Sequence, residues 1–299
     1  MRAAYLGPAG TNSHEALTAI GPAIEPVGYP TVGAVVAAVQ GGEAERGLVP
    51  IENSREGGVG ATLDALVFDA PDVVIVGELV HRVSYCLVAA EPIAPDEVRT
   101  VHSHPQATGQ CARFLAAQLP GAAIVAAAST ADAVRAVAEG GTLAGAPPHA
   151  AIGTRHAAAL YGATVLAEEI EDDAENATRF AWIERASRSD PHAPTPVASP
   201  ATSGSDPAQP GPDAKTALVF WGAGDLAPGW LVACLTEFSS RAINLTRIES
   251  RPRRVGLGSY MFFCDVEGAA SNPDVAAAIA GLRSHCEVVR VLGSFPASR

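Results

Sequence analysis

The stretch Thr178-Arg179-Phe180-Ala181-Trp182-Ile183 ends as a buried strand would end, yet it opens on a hydroxyl and a guanidinium, behind a loop carrying Asp172, Asp173 and Asn176. Along a strand, successive side chains alternate, so Thr178, Phe180 and Trp182 point one way and Arg179, Ala181 and Ile183 the other. Thr178 then offers a rigid hydroxyl, able to give a hydrogen bond to a departing or bound oxygen. Arg179, on the opposite face, has the planar fork that grips a carboxylate, either of Asp172 or Asp173 or of a bound anion.

Four further stretches carry polar groups just after an expected strand. In Gly7–Glu15, Thr11, Asn12 or Ser13 can cap a helix, with Asn12 and Glu15 at capping-box spacing. Ser103 and Gln106 flank Pro105 at the same spacing, Ser129 and Thr130 precede Asp132, and Glu52, Asn53 and Ser54 follow the apolar run 47–51. Capping accounts for each joint singly. Together they lie where a parallel sheet binds ligands, outside the carboxyl ends of its strands, where helix N-termini present N–H groups to anions. A cleft for a small carboxylated molecule is the expectation.

The elements that must position these groups follow from the hydrophobic pattern. Short apolar runs at 3–7, 24–29, 47–51, 98–103, 122–128 and 149–153 alternate with helical stretches at 12–20, 31–40, 61–69, 105–118, 131–139 and 154–161. That alternation implies a mainly parallel α/β sheet in two lobes. The run 73–90 is too long for one ordinary strand and is expected to cross between the lobes. Residues 186–214 hold seven prolines among Ser, Ala, Asp and Gly, with no apolar periodicity, and read as an extended linker. Beyond it the order is strand 215–222, helix 229–240, strands 243–250 and 259–268, helix 271–284 and strand 286–293, the βαββαβ order of a ferredoxin-like plait.

Composition limits the function classes. The 299 residues carry a formal charge of −12 with no basic run, which disfavours a nucleic-acid surface. Five cysteines, odd in number and never spaced as CxxC, read as reduced core residues rather than a disulfide framework or a zinc site. His14, His102, His149 and His156 are expected at the surface or in structural roles, no cluster has metal-ligand spacing, and neither GxGxxG nor GxxxxGK[ST] occurs, so no metal or nucleotide cofactor is expected. The N-terminal stretch lacks the apolar core of a signal peptide and no run of ~18 apolar residues is present, so a cytoplasmic chain without a membrane span is expected.

Taken in order, YLGPAGTNSHEA, VPIENSREGGVGATLD, HSHPQA, STADA, AAIG and DDAENATRF resemble prephenate dehydratase. KTALVFWG, APGWL and INLTRIESRP resemble the ACT regulatory domain that follows it in that family. The resemblance implies a catalytic region over 1–185, two lobes of the periplasmic-binding-protein kind with the site between them, the linker 186–214, and an ACT domain over 215–299. It also implies decarboxylating dehydration of prephenate without a cofactor, with Thr178, Arg179 and Phe180 as its TRF motif and Thr178 catalytic; because hydroxide is a poor leaving group, Thr178 is expected to donate to it. Glu52 or His104 would resupply the proton, and Thr11, Asn53, Ser54, Ser103, His104, Gln106 and Ser129 would hold the substrate. Phe180 would give the ring carboxylate an apolar setting, and Arg179 stays open between holding a carboxylate and fixing the loop 170–176.

L-phenylalanine is implied as effector, bound between the loop 224–231 and the segment 244–252 by Leu226, Pro228, Gly229, Trp230, Asn244, Leu245, Glu249, Ser250 and Arg251. ACT pairing would make a homodimer or homotetramer. Two departures stand out: the long proline-rich linker, and Trp230 where the family usually has alanine. Arogenate dehydratase, a carboxylate-binding sensor without chemistry, and an ACT domain serving assembly alone are the competing readings.

Overall fold

The computed structural model describes residues 1–140, 148–186, 213–222, 224 and 227–298. Most of the linker stretch 186–214, and Leu226, lie outside them. The first part of the chain runs β1 (Arg2–Leu6), α1 (Asn12–Thr18), β2 (Glu25–Tyr29), α2 (Val32–Gly41), β3 (Arg46–Asn53), the two-residue β4 (Gly57–Gly58) and α3 (Gly60–Asp64), whose end widens into a π turn over Ala65–Asp69. It continues through β5 (Val73–Arg82), β6 (Cys86–Ala89), β7 (Thr100–Ser103), α4 (Pro105–Gln110), α5 (Ala112–Gln118), β8 (Ala123–Ala126), α6 (Thr130–Gly140), β9 (His149–Gly153), α7 (Arg155–Tyr161), β10 (Thr164–Ala167) and β11 (Ala177–Arg185). The last part is β12 (Ala214–Trp221), α8 (Trp230–Ser239), β13 (Leu245–Pro252), β14 (Tyr260–Glu267), α9 (Pro273–His285) and β15 (Val288–Pro296), the expected βαββαβ order.

These elements form two compact units, one of Met1–Val35, Glu52–Gly57 and His81–Thr178, the other of Val36–Ile51, Gly58–Val80 and Arg179–Arg299. In the first, β1 and β2 pair in parallel, and a second sheet runs β10-β6-β9-β7-β8. Strands β7, β8 and β9 are parallel, but β6 is antiparallel to both β9 and β10, so the sheet is mixed where a mainly parallel one is expected. Alternation along β6 sends Cys86 and Val88 into a cluster with Val134 and Val137 of α6 and Ala157 of α7, and Leu87 into another with Val101, Ala107 and Cys111. Gly153 lets α6 lie close on the sheet, since a Cβ there would overlap Val134.

Two expectations are revised here. The run 73–90 is two strands, β5 and β6, because Val83–Tyr85 leave the ladder: Val83 N–H donates to the Asn176 carbonyl at 2.8 Å and Tyr85 N–H to Glu171 Oε2 at 2.9 Å. The helix expected over 105–118 breaks at Cys111, after the poor helix formers Thr108 and Gly109, and the break turns Gln110 and Cys111 inward.

In the second unit β3, β11 and β5 are neighbours, and the C-terminal sheet runs β13-β14-β12-β15, antiparallel throughout. Helices α8 and α9 cover one face, burying Leu218, Phe220, Cys264 and Val266 against Cys234, Phe238, Ile279 and Leu282. Alternation puts Val219, Met261 and Phe263 on the other face, where they are equally buried. Residues 66–75 pack against β15 on that side: Gly293 packs where a Cβ would overlap the Ile75 carbonyl, and Arg290 donates to the carbonyls of Leu66 (2.8 Å), Ala70 (3.0 Å), Pro71 (2.9 Å) and Val73 (3.1 Å). Arg290 thus joins the π turn, its end at Ala70 and the start of β5, taking carbonyls that the turn leaves free.

Candidate active site

Thr178 sits at the start of β11, half-buried, and its oxygen receives a hydrogen bond from Asn53 Nδ2 at 3.0 Å. The orientation of that amide is decided by its other end. Asn53 Oδ1 accepts from the backbone N–H of Arg55 at 3.0 Å and of Glu56 at 3.2 Å, so the nitrogen must face Thr178. The Asn53 amide also donates to the Ala177 carbonyl at 3.1 Å and to Asn176 Oδ1 at 3.2 Å, and Asn176 Nδ2 donates in turn to Gln110 Oε1 at 2.9 Å. Because the Thr178 oxygen is already an acceptor, its hydrogen is directed away from Asn53 and is the part of the group able to serve a ligand.

Asn53, Gln110 and Asn176 are buried, and all three are neutral. A buried, satisfied amide network fixes direction without bringing a charge to the hydroxyl. Asn176 and Gln110 are not among the candidates read from the sequence. Asn176 stands two residues before Thr178, which is a signal; Gln110 has none, since only the break of α4 aims it inward.

Other candidates hold local structure. Ser54 Oγ accepts from the Ala177 N–H at 3.0 Å and its own N–H donates to the Ala177 carbonyl at 2.9 Å, which ties β3 to the start of β11. Glu52 lies on the face of β3 opposite Asn53, so the strand does not bring it to Thr178 alongside the amide. Thr11 caps α1, accepting from His14 N–H at 3.4 Å and donating to the Leu6 carbonyl at 2.9 Å. Ser129 caps α6, accepting from the Asp132 N–H at 2.9 Å and donating to Asp132 Oδ2 at 2.8 Å.

The capping box expected at Ser103 is corrected. Ser103 is fully buried and donates to the Ile152 carbonyl at 2.8 Å, tying β7 to β9, while His104 caps α4 by accepting from the Gln106 N–H at 3.3 Å. Ser103 belongs to β7 and its hydroxyl is engaged with that carbonyl; the Gln106 side chain remains exposed.

The ion pairs open to Arg179 are also corrected. Asp172 takes the Arg113 N–H at 3.1 Å and Asp173 pairs with Arg55 at 2.7 Å. Arg179 instead pairs with Glu78 at 3.1 Å and Asp265 at 2.6 Å, and Glu78 also holds Lys215 at 2.8 Å. Burial alone would push the Arg179 guanidinium's pKa down, but Asp265 and Glu78 outweigh it and the net shift is upward. Phe180 is buried in the core.

Two histidine pairs brace the first unit. His14 Nδ1 accepts from the Gly10 N–H at 3.1 Å and lies 2.9 Å from His156 Nε2, under the stacked ring of Tyr5. His102 Nε2 and His149 Nδ1 are 3.3 Å apart on adjacent strands. Burial, then the neighbouring imidazole, pushes the pKa of His14 and of His102 down, which favours neutral rings. Among the described residues no three His, Cys, Asp or Glu side chains are grouped to hold a metal, and no helix is long and apolar enough to cross a membrane. A cavity lined by Leu17, Thr18, Gly21, Pro22, Ile24 and Pro26 contains none of the groups above.

In the C-terminal βαββαβ part, Pro228 and Gly229 form an exposed turn, with Gly229 at φ 84° before α8. Trp230 is buried against Phe220 and Phe262 and donates to the His285 carbonyl at 2.7 Å. Asn244 donates to Glu267 at 3.0 Å and Leu245 packs on the core. Glu249 is held by Arg247 at 2.7 Å and Arg251 by both oxygens of Asp64 at 3.1 and 2.8 Å, so these two polar side chains turn onto the same chain and Ser250 faces outward.

Comparison with known proteins extends over the whole chain. Residues 3–188 match the family described as prephenate dehydratase. The prephenate dehydratase of Mycolicibacterium vanbaalenii is 37% identical over 308 residues, covering 98% of this chain and 90% of that one. The structure of a prephenate dehydratase from Arthrobacter aurescens in complex with L-Phe aligns with a TM-score of 0.83 at 32% identity, over 99% of this chain and 90% of that one. A protein described as a novel type of quorum-quenching acylase aligns with a TM-score of 0.80 at 29% identity, over 100% of this chain and 98% of that one.

Proposed function

Since the chain belongs to the prephenate dehydratase family, we propose that it converts prephenate to phenylpyruvate by decarboxylating dehydration and that L-phenylalanine regulates it. Prephenate carries a ring carboxylate, a pyruvyl carboxylate and a ring hydroxyl opposite the first. Cleavage of the carboxylate's carbon–carbon bond releases carbon dioxide; that electron pair moves through the diene and expels the hydroxyl, and the product is an aromatic ring. Aromatisation supplies the driving force. What the protein must supply is a hydrogen bond or proton to the departing oxygen, because hydroxide is a poor leaving group.

The hydrogen bond from Asn53 to the Thr178 oxygen is the observation that carries this reading. It commits the hydroxyl to donate, and it does so with a neutral group that leaves the local field unchanged. A threonine hydroxyl is a weak acid, so the oxygen leaves as water after a proton is resupplied through solvent or a neighbour such as His104, whose ring caps α4. The exposed Gln106 side-chain amide supplies a donor for a carboxylate. A tight grip on the ring carboxylate would oppose its loss, so a neutral or apolar setting suits that group better.

The catalytic region is read as 1–185 and the βαββαβ part as an ACT regulatory domain, with the effector along the turn at Pro228–Trp230 and the outer side of β13, near Asn244 and Ser250. Assembly into a homodimer or homotetramer is supported by β13 being an edge strand with Ile248 48% exposed, and by Val232 on α8 at 67%. Five buried, unbridged cysteines fit a reducing cytoplasm.

A stopped assay following phenylpyruvate from prephenate, with and without phenylalanine and with arogenate in parallel, tests the reading. Phenylpyruvate formation that phenylalanine alters is the expected result. Turnover of arogenate alone would move the substrate, and binding without turnover of either would make the chain a sensor.

A further inference from the structure

The two residues of the Asn53–Thr178 hydrogen bond lie on segments that run directly into side-chain contacts with β13 and β14. Five residues after Asn53 comes Gly58, where a Cβ would overlap the Glu249 carboxylate; at Gly60 it would overlap the Arg251 guanidinium. Arg251 then holds Asp64 with two bonds, at 3.1 and 2.8 Å, and Arg254 adds a third at 2.8 Å. One residue after Thr178 comes Arg179, held by Asp265 of β14 at 2.6 Å. Between these grips the network is continuous: Arg247 pairs with Glu249 at 2.7 Å and lies 3.9 Å from Asp265. Arg247, Asp265 and Glu78 side chains are 6%, 3% and 2% exposed, so these charges have little water to fall back on.

We propose that Glu249, Arg251 and Asp265 are positioning residues for the reaction, fixing the segments of Asn53 and Thr178 relative to each other so that the threonine hydroxyl keeps its donating direction. This rests on the reading of Thr178 as donor. The two glycines leave room for the ends of Glu249 and Arg251 beside the backbone that follows Asn53; a side chain there would push those flexible ends aside. A ligand that displaced β13 would act on the site through the same contacts, and this gives the ESRP stretch a role in catalysis distinct from touching an effector.

The test uses the full chain with Asp265→Asn and Arg251→Gln. Each change leaves a second partner in place, Glu78 for Arg179 and Arg254 for Asp64. The expected result is a fall in kcat of about tenfold with KM for prephenate held within about twofold, a weaker response to phenylalanine, and faster amide exchange confined to 52–57 and 176–182. Arg251→Lys, which keeps the charge and loses the fork, should recover part of the kcat. Folded variants with parental kcat and parental exchange would overturn the proposal, as would exchange raised evenly across the chain. If the parent fails to turn over prephenate, the donor reading falls with the activity, and the exchange pattern alone decides whether these residues position the two segments.

Discussion

Thr178 and Arg179 are neighbours in the chain and are held by opposite kinds of chemistry. Thr178 is met by neutral amides, Asn53 and behind it Asn176 and Gln110, whereas Arg179 enters a network of buried charges with Glu78, Asp265 and Lys215. The difference separates two tasks. Setting the direction of a hydroxyl calls for a group with a donor end and an acceptor end in fixed places, which a buried amide provides. Anchoring a strand calls for interactions that are costly to break singly, which buried ion pairs provide.

Thr178→Val tests the first task most severely. It keeps the shape and removes the donor, and kcat for prephenate should fall about a thousandfold, the range of a lost proton donor, while KM changes little. Thr178→Ser, retaining the hydroxyl, should keep most of the rate; equal losses in both variants would mean the hydroxyl is not what matters.

Arg290→Ala tests an anchor of related kind, a cation held by backbone carbonyls instead of acids. Its guanidinium meets four carbonyls between the π turn and the start of β5, and removal should cost roughly 3 kcal/mol of stability in urea unfolding, because those carbonyls lose charge-assisted donors. A change below about 0.5 kcal/mol would show that water replaces the cap.

Asn53→Asp sharpens the contrast by placing a charge where the amide is. A carboxylate has no N–H to give, so Thr178 turns its hydrogen toward it and kcat should fall about a hundredfold; the buried charge, now facing the Ala177 carbonyl and Asn176 Oδ1, should also lower the melting temperature. Retained activity would break the link between the amide and the hydroxyl's direction.

The smallest effect separates the two regions by pH. His14 and His102 have pKa values pushed below the ordinary histidine value, so their share of stability is complete above about pH 6.5, the unfolded value, and is lost as the pH falls through the lower folded values. For Asp64, burial raises the pKa but Arg251 and Arg254 outweigh it, so the net shift is downward. Its share is present above about pH 3.9 and is lost only as the pH falls further, through the folded value. Melting curves should therefore decline in two stages on acidification, and His102→Gln should reduce only the first. A single decline near pH 4 would remove the histidines from the account.

Much of this was legible in the chain. The alternation of β11, the caps at Thr11 and Ser129, and the βαββαβ order were all readable, because each follows from neighbours within a few residues. The failures share a cause. Ser103 and Gln106 have the spacing of a capping box, yet Ser103 faces the core because the register of β7 against β9 requires it. Arg179 has acids seven and six residues before it, yet pairs with Glu78 and Asp265, which no local rule can single out. Gln110 is aimed by a helix break that its own sequence marks only weakly.

What the sequence by itself determined is the kind of group at each place: a strand opening on a hydroxyl, polar residues at helix starts, and glycines at 58 and 60. Those follow from short-range sterics and periodicity. Which groups meet was decided only by the tertiary structure, since the partner of Thr178 lies 125 residues away, that of Arg179 lies 86 away, and that of Arg251 lies 187 away. Over such separations, pairing is set by how sheets register and pack, and it is there that Thr178 gains the amide that orients its hydroxyl.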